Sequence, residues 1–508
     1  MAKNVVIFSD GTGQAGGFRF DEVRSNIYKL YRATRCGPDS AVDPNEQIAF
    51  YDPGLGSQAD GGHLAGRFAR WVYDLVSRAT GFGITANIID CYAALIRLWD
   101  PGDRVFLIGF SRGAYTTRCL AGVIALCGIP TRMRGGNELR LDTSATHSLA
   151  TYAVKHVYQF TSSRSYADTT SYQKFLLDTR SLLGKRFRED CGSAEGDKAN
   201  TYPYFIGVFD TVAALGSFRK FFLFALLFLG AAALVALLGD YLSLLPPAPL
   251  IGGLLEQLSF ARVFLTIVAA AITLLVAVFI DTHIKWDFSV PGYSRAQNLR
   301  TLHFTDIWQT FYDYDLNENV GYARHAISID ENRKDFVRVP WGYKDAKHEG
   351  RDSQGHLWFE QVWFAGNHSD IGGSYPENES RLSDISLQWM VQAASRIPNG
   401  LKYDPNVLKL WPAPEGMQHD EVKAGFGLLT KLFGVTWGRA HRKLPGPKAV
   451  VHRSVYERFD QREVQVYERM EAYRPETLRD HIDFAHYYNE GAPFPATSAR
   501  NATAAAED

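Results

Sequence analysis

The sequence is poor in the features that would classify it at once. Five cysteines occur in 508 residues: Cys36, Cys91, Cys119, Cys127 and Cys191. The count is odd and no spacing recurs, which excludes a disulfide framework and a zinc motif and fits a reducing compartment. Neither sign of charge is in excess, with 54 basic and 55 acidic residues. A nucleic-acid binder usually carries a basic face, so no nucleic-acid partner is expected. No Walker loop and no His-Glu-x-x-His pair is found. Internal repeats are missing too. The start, Met1-Ala2-Lys3-Asn4, runs straight into an apolar stretch and lacks the layout of a secretory signal. Aromatics at 13% exclude a disordered chain, and the length supports a sizeable core.

Two long apolar runs are present. Residues 221–239 and 263–280 contain no charged side chain. Each has about the length a helix needs to cross a bilayer. A helix apolar on every side over that length is seldom only a core helix. A Pro-containing, apolar connector (245–249) joins them, so a transmembrane hairpin over 219–285 is expected. Arg219 and Lys220 precede it, and His283 and Lys285 follow it. The connector carries Asp240 and Glu256, with Arg262 at its edge. This bias places both soluble parts in the cytoplasm, with the lipid bilayer as partner.

Elsewhere strand and helix patterns alternate. Strand-like runs at 4–8, 47–51, 104–108, 204–209 and 361–364 are apolar and end in turn residues. Helical spacing appears over 23–34, over 85–99 (Ile88, Ile89, Tyr92, Leu95 and Ile96 on one face), over 114–126 and over 383–394. Residues 139–200 are mostly polar and are expected to form helices and loops over the C-terminal edge of the sheet. From about 300 sheet-like and helical segments resume. The alternation predicts an α/β fold with a mostly parallel sheet and helices on both faces. The expected organisation is a first α/β part (1–218), the hairpin (219–285), a second α/β part (286–395), a C-terminal helical or mixed region (396–495) and a flexible tail (496–508).

One motif carries chemistry: Gly109-Phe110-Ser111-Arg112-Gly113, between a strand and a helix. In that context Gly-x-Ser-x-Gly is a sharp turn that holds the hydroxyl at the sheet edge, beside a helix N-terminus. Gly109 and Gly113 make room for the turn. Ser111 is the candidate nucleophile, and the Arg112 amide is the first candidate oxyanion donor. The second donor is expected from Gly11 or Thr12 in Asp10-Gly11-Thr12-Gly13, with Asp10 in a supporting role. A serine needs a base, and the base an orienting carboxylate, in the order Ser, acid, His. Asp210 at a strand end and His368 in a glycine-bounded loop fit that order. Asp370 is the rival acid, although two residues from His368 it more simply shapes the loop. His452 is the rival base. Arg112 also suits a lipid phosphate. Phosphatases with Asp-x-Asp-Gly-Thr are excluded, because their nucleophile position is Phe8. Asp10, Asp210 and Asp370 require no metal by their spacing, and no cofactor is expected.

Several stretches together resemble a known family. They are Asp10-Gly11-Thr12, Ser25-Asn26-Ile27, Tyr51-Asp52-Pro53-Gly54-Leu55-Gly56, Gly109-Phe110-Ser111-Arg112-Gly113-Ala114-Tyr115, Gly207-Val208-Phe209-Asp210-Thr211-Val212, 325–333, 363–373 and Leu382-Ser383-Asp384-Ile385. In this order they resemble the α/β-hydrolase catalytic domain of type VI secretion phospholipase effectors of the first lipase class. The resemblance covers about 3–395 apart from the hairpin. It implies ester hydrolysis by a Ser-Asp-His triad on membrane phospholipid. A membrane-anchored lipid esterase of phospholipase A type is therefore expected. Its competitors are a secreted antibacterial toxin of the same chemistry and an inactive membrane scaffold. The assembly state stays open, with a homo-oligomer as one option.

Overall fold

The computed structural model describes residues 2–11, 23–53, 83–162, 169–212, 229–230, 232–237, 260–305, 315–343, 346–424 and 437–488. The elements that frame the site are, in chain order, β1 (Asn4–Ser9), α1 (Asn26–Thr34), β2 (Gln47–Asp52), α2 (Gly83–Leu98), β3 (Arg104–Phe110), α3 (Arg112–Cys127), α4 (Thr143–Tyr152), α5 (Ser171–Cys191), β4 (Pro203–Phe209), α6 (Phe260–His283), β5 (Tyr322–Ser328), β6 (Phe359–Phe364), α7 (His368–Gly372), α8 (Arg381–Arg396) and α9 (Arg453–Asp460).

The six strands form one sheet in the order β2-β1-β3-β4-β5-β6. Every neighbouring pair is parallel. The strands are apolar along both faces because helices cover both, as parallel sheets require. On one face Val5, Ile7, Val105, Leu107, Ile206 and Val208 pack against α2 and α3. On the other Val6, Phe8, Phe106, Ile108, Phe205 and Phe209 pack against α1 and α8. Alternate residues of one strand thus serve two cores, which follows from the two-residue period of the pleat. The fold is α/β, as the alternation of patterns predicts.

Sheet order decides where a site can lie. From β1 the chain turns to β2 on one side, and β3 to β6 are laid down on the other. The connections after β1 and β3 therefore leave toward opposite faces and open a crevice between their C-terminal ends. Ser9 pairs with Gly109 across that gap. Asp10 and Ser111 follow directly on its two sides.

Helices α4 and α5 build a second helical layer on one face of the sheet, against α2 and α3. In α5 the buried Leu176, Leu177, Leu183 and Phe187 share one side and need an apolar partner. The outer side of α3 provides it: a Cβ on Gly184 would stand 2.6 Å from Leu126.

The region after α8 closes the far edge of the sheet. The Trp363 amide donates to the Val450 carbonyl (2.9 Å) and the His452 amide to the Trp363 carbonyl (2.9 Å). Ile327, Ile329 and Trp363 bury against Val455, Phe459, Tyr473 and Phe484. The unpaired edge of β6 is covered in this way.

Among the described residues one helix is long and apolar enough to cross a membrane, α6 over Arg262–Asp281, and none of that span is buried. Leu265, Ile272, Leu274 and Val276 are more than half exposed. The first expected span, 221–239, lies mostly outside the described residues.

Candidate active site

Ser111 sits between β3 and α3 with φ 58° and ψ −122°. A non-glycine residue rarely holds a positive φ. Here the surroundings enforce it. The Ser111 amide donates to the Phe209 carbonyl (3.0 Å), tying the turn to β4. The glycines on either side are compulsory by contact. A Cβ on Gly109 would lie 2.5 Å from the Gly113 carbonyl oxygen, and one on Gly113 would lie 2.0 Å from the Ser9 carbonyl oxygen. Helix α3 therefore starts hard against the end of β1, and its N-terminus sits beside the serine.

Three residues distant in sequence meet at this point. His368 Nε2 is 2.8 Å from Ser111 Oγ. His368 Nδ1 is 2.5 Å from Asp210 Oδ2. All three are buried. Asp210 follows β4 at φ 39°, and its amide donates to the Ala326 carbonyl of β5 (2.7 Å). His368 opens α7, where a loop is expected from the glycines. Asn367 caps this short helix through Ser369 and Asp370 amides. The His368 amide donates to Glu331 (3.2 Å), and its ring packs between Phe110 (4.7 Å) and Phe336 (5.2 Å).

The charges define the protonation of the histidine. Asp210 Oδ1 accepts from the Ser328 amide (3.1 Å) and from Arg442 Nη1, and Oδ2 accepts from Arg442 Nη2 (2.9 Å). Burial pushes the Asp210 carboxyl up, but the Arg442 charge and the His368 hydrogen bond outweigh it and hold the group well below the usual carboxylate range. An ionised carboxylate only accepts, so the ring proton belongs on Nδ1, and Nε2 is left to accept from the serine hydroxyl. This arrangement can remove a proton from Ser111 and hand it on.

The rivals are engaged elsewhere. Asp370 Oδ2 accepts from the Asn367 and His419 amides (both 3.0 Å), and Oδ1 from His419 Nδ1 (2.7 Å). His452 caps α9, with Nδ1 at 2.8 Å from Ser454 Oγ and its ring on Phe364. Desolvation and the neighbouring Arg453 push it down to about 4.

The β1 loop lies against the elbow, since a Cβ on Gly11 would stand 3.0 Å from the Phe110 ring and 3.5 Å from Ser111 Cβ. The Gly11 amide, expected at an oxyanion, instead donates to Asp10 Oδ1 (2.7 Å). The physical reason is the burial of Asp10, whose carboxyl also accepts from Ser25 Oγ (2.5 Å) and the Tyr51 hydroxyl (2.7 Å). Burial raises Asp10 to about 6 despite these bonds. Thr12 lies outside the described residues. Arg112 is the first residue of α3. Asp10, Asp210 and Asp370 each serve separate partners.

Two members of the site carry no readable signal in the sequence. Arg442 stands 232 positions from Asp210 in a polar stretch. Glu331, which accepts from His368, belongs to a motif of the resemblance but to no catalytic pattern. It is itself held by Arg333 through Nε (2.8 Å) and Nη2 (2.7 Å).

Residues 3–233 and 286–393, about two thirds of the chain, match the family described as T6SS, phospholipase effector Tle1-like, catalytic domain. A relative in Saccharomyces cerevisiae, the uncharacterized protein YEL023C, is 23% identical over 432 residues, covering 80% of this chain and 58% of the relative. The chain thus spans less than two thirds of that relative's length. A crystal structure of an uncharacterized protein from Pseudomonas aeruginosa aligns with 14% identity and a TM-score of 0.31, over 81% of this chain and 48% of the other. The chain belongs to the Tle1-like phospholipase effector catalytic-domain family of the type VI secretion system.

Proposed function

We propose that this chain is a serine hydrolase that cleaves acyl esters of phospholipids, a phospholipase of A type. The observation that carries the reading is the unbroken line of hydrogen bonds from Ser111 through His368 to Asp210. Ser111 Oγ attacks the acyl carbonyl while His368 Nε2 takes its proton. The tetrahedral oxyanion is held by the Arg112 amide at the N-terminus of α3, where the helix dipole favours negative charge. A second donor comes from the 11–12 loop. Either the Gly11 amide leaves Asp10 Oδ1, or Thr12 supplies the bond. On collapse His368 protonates the leaving alcohol, and water then attacks the acyl-enzyme by the same path in reverse. Asp210 keeps the ring in the tautomer this needs.

The residues flanking the active serine fit lipid. Phe110 and Phe336 line the histidine, and Trp437 stands edge-on to Phe336 at 5.8 Å. In this reading the hairpin over 219–285 inserts between two hydrolase parts, 1–218 and 286–395. It holds the crevice at a bilayer with spans near 221–239 and 263–280. The exposed apolar surface of α6 supports that placement. The region 396–495 is the C-terminal part, and 496–508 a tail.

Purified Ser111→Ala protein incubated with phospholipid vesicles should release no fatty acid above the vesicle blank, read by mass spectrometry, with an unchanged circular dichroism spectrum. Undiminished release from this variant would sink the mechanism. The family's effector description favours a second reading, a toxin that acts in a target cell. Expression directed to the periplasm should then be far more harmful than cytoplasmic expression, and equal harmlessness in both would reject the toxin.

A further inference from the structure

We infer that Arg442 is a positioning residue for the acid of the triad, so that the strand-edge segment beyond the family-matched residues is a working part of the active site. This rests on the proposed reading of Ser111, His368 and Asp210. A fully buried carboxylate is unfavourable unless it is paired and hydrogen-bonded. Asp210 is fully buried, and Arg442 meets both of its oxygens with both terminal nitrogens. A guanidinium fork matches a carboxylate in this two-point way, and it fixes orientation as well as charge. Orientation matters here because Oδ2 must face His368 Nδ1.

The guanidinium is itself held. Nη1 donates to the Ser328 carbonyl (3.2 Å) and Nη2 to the Phe336 carbonyl (3.3 Å), the latter from a residue whose ring touches His368. The segment that bears Arg442 is fastened on either side of it. The Lys334 amide donates to the Gly438 carbonyl (2.7 Å), the Ala440 amide to the Asn332 carbonyl (2.9 Å), and the Trp363 amide to the Val450 carbonyl (2.9 Å). Arg442 therefore arrives at Asp210 from a strap laid along the loop after β5 and the edge of β6. Its charge has a second consequence. It offsets the buried Asp210 carboxylate and keeps it ionised beside the imidazole.

The test uses the full-length protein and the rate at which a fluorophosphonate labels Ser111, measured from pH 5 to 9. Labelling reads the nucleophile directly and needs no lipid. Arg442→Gln should slow labelling at pH 7 by about 10- to 100-fold, the usual consequence of misplacing a catalytic group by an ångström. Its acid limb should also move to higher pH by about one unit, because the unpaired carboxylate then favours a proton on the ring. Arg442→Lys keeps the charge and loses the fork. Its acid limb should stay in place while its rate falls by less than in Arg442→Gln. Arg442→Lys carries the test if Arg442→Gln does not fold by circular dichroism. An unchanged pH profile in folded Arg442→Gln, or a shifted acid limb in Arg442→Lys, overturns the inference. If the wild-type protein is not labelled at Ser111, the triad reading fails first and takes this inference with it.

Discussion

Among the described histidine–aspartate pairs, His368–Asp210 and His419–Asp370 are the two shortest, and their neighbours give them opposite characters. At the sheet edge His368 Nδ1 faces Asp210 at 2.5 Å while Nε2 faces a serine hydroxyl at 2.8 Å. Behind α7, His419 Nδ1 faces Asp370 at 2.7 Å while Nε2 faces the Glu379 carboxylate at 3.2 Å. A histidine between a carboxylate and a hydroxyl can keep one nitrogen as an acceptor. A histidine between two carboxylates is placed to donate from both nitrogens, which favours the cation. Burial works against that charge on His419, but Asp370 and Glu379 outweigh it and raise its pKa above the ordinary value. The carboxylates differ as well. Arg442 offsets Asp210, whereas Asp370 spends its bonds on the Asn367 amide and on His419. A histidine beside an aspartate therefore reveals little of its role until the second ring nitrogen is followed.

The largest effect should separate the two acids. Asp210→Asn should lower turnover by about 10⁴-fold, since an amide permits the wrong ring tautomer. Asp370→Asn should lower turnover by less than about tenfold and instead cost about 3 kcal/mol of stability, as expected for breaking a buried ion pair. Urea denaturation and fatty-acid release on the same preparations decide between them. Comparable losses of turnover would erase the distinction.

A smaller effect sharpens the second pair. The folded protein raises the pKa of His419 above that of the unfolded chain, so its contribution to stability is complete below the unfolded value of about 6.5. That contribution is lost as pH rises through the higher folded value. The melting temperatures of the wild-type and His419→Gln proteins should therefore differ most near pH 6 and converge as pH rises. A gap that widens with pH would mean that His419 is not a buried cation. The smallest effect belongs to His452, which caps α9 through Ser454. His452→Ala should cost about 1 kcal/mol, the usual value of a lost cap, and leave turnover within about twofold. A deep loss of turnover with intact folding would return it to the role of base.

How much of this could be read from the chain differs from element to element. Strands β1, β3 and β4 are short apolar runs with turn residues behind them, and their periodicity shows them plainly. Strand β5 is harder, because Arg324 and His325 interrupt its apolar pattern. Both side chains are buried and held by neighbours on β6, Arg324 by Glu360 (3.4 Å) and His325 by Gln361 (3.2 Å). Such compensation comes from a partner strand and leaves no local trace. Helices α4 and α5 are hard to read for a related reason: the apolar partners of their buried side chains lie on α2 and α3, far along the chain. The hydrogen bond from the Gly11 amide to the buried Asp10 carboxyl likewise has no local trace.

By itself the sequence determined what is local: the alternation of strand and helix, the glycine-flanked turn at Ser111, the candidates at strand ends and the long apolar runs. Backbone sterics and the periods of burial act over a few residues, so they are written in the order of the letters. Only the tertiary structure decided which strand ends are neighbours. The order β2-β1-β3-β4-β5-β6 brings Ser111, Asp210 and His368 together, and the strap along β6 delivers Arg442 to the same carboxylate. Contacts across hundreds of residues depend on how the layers pack, and no short stretch of the chain encodes them.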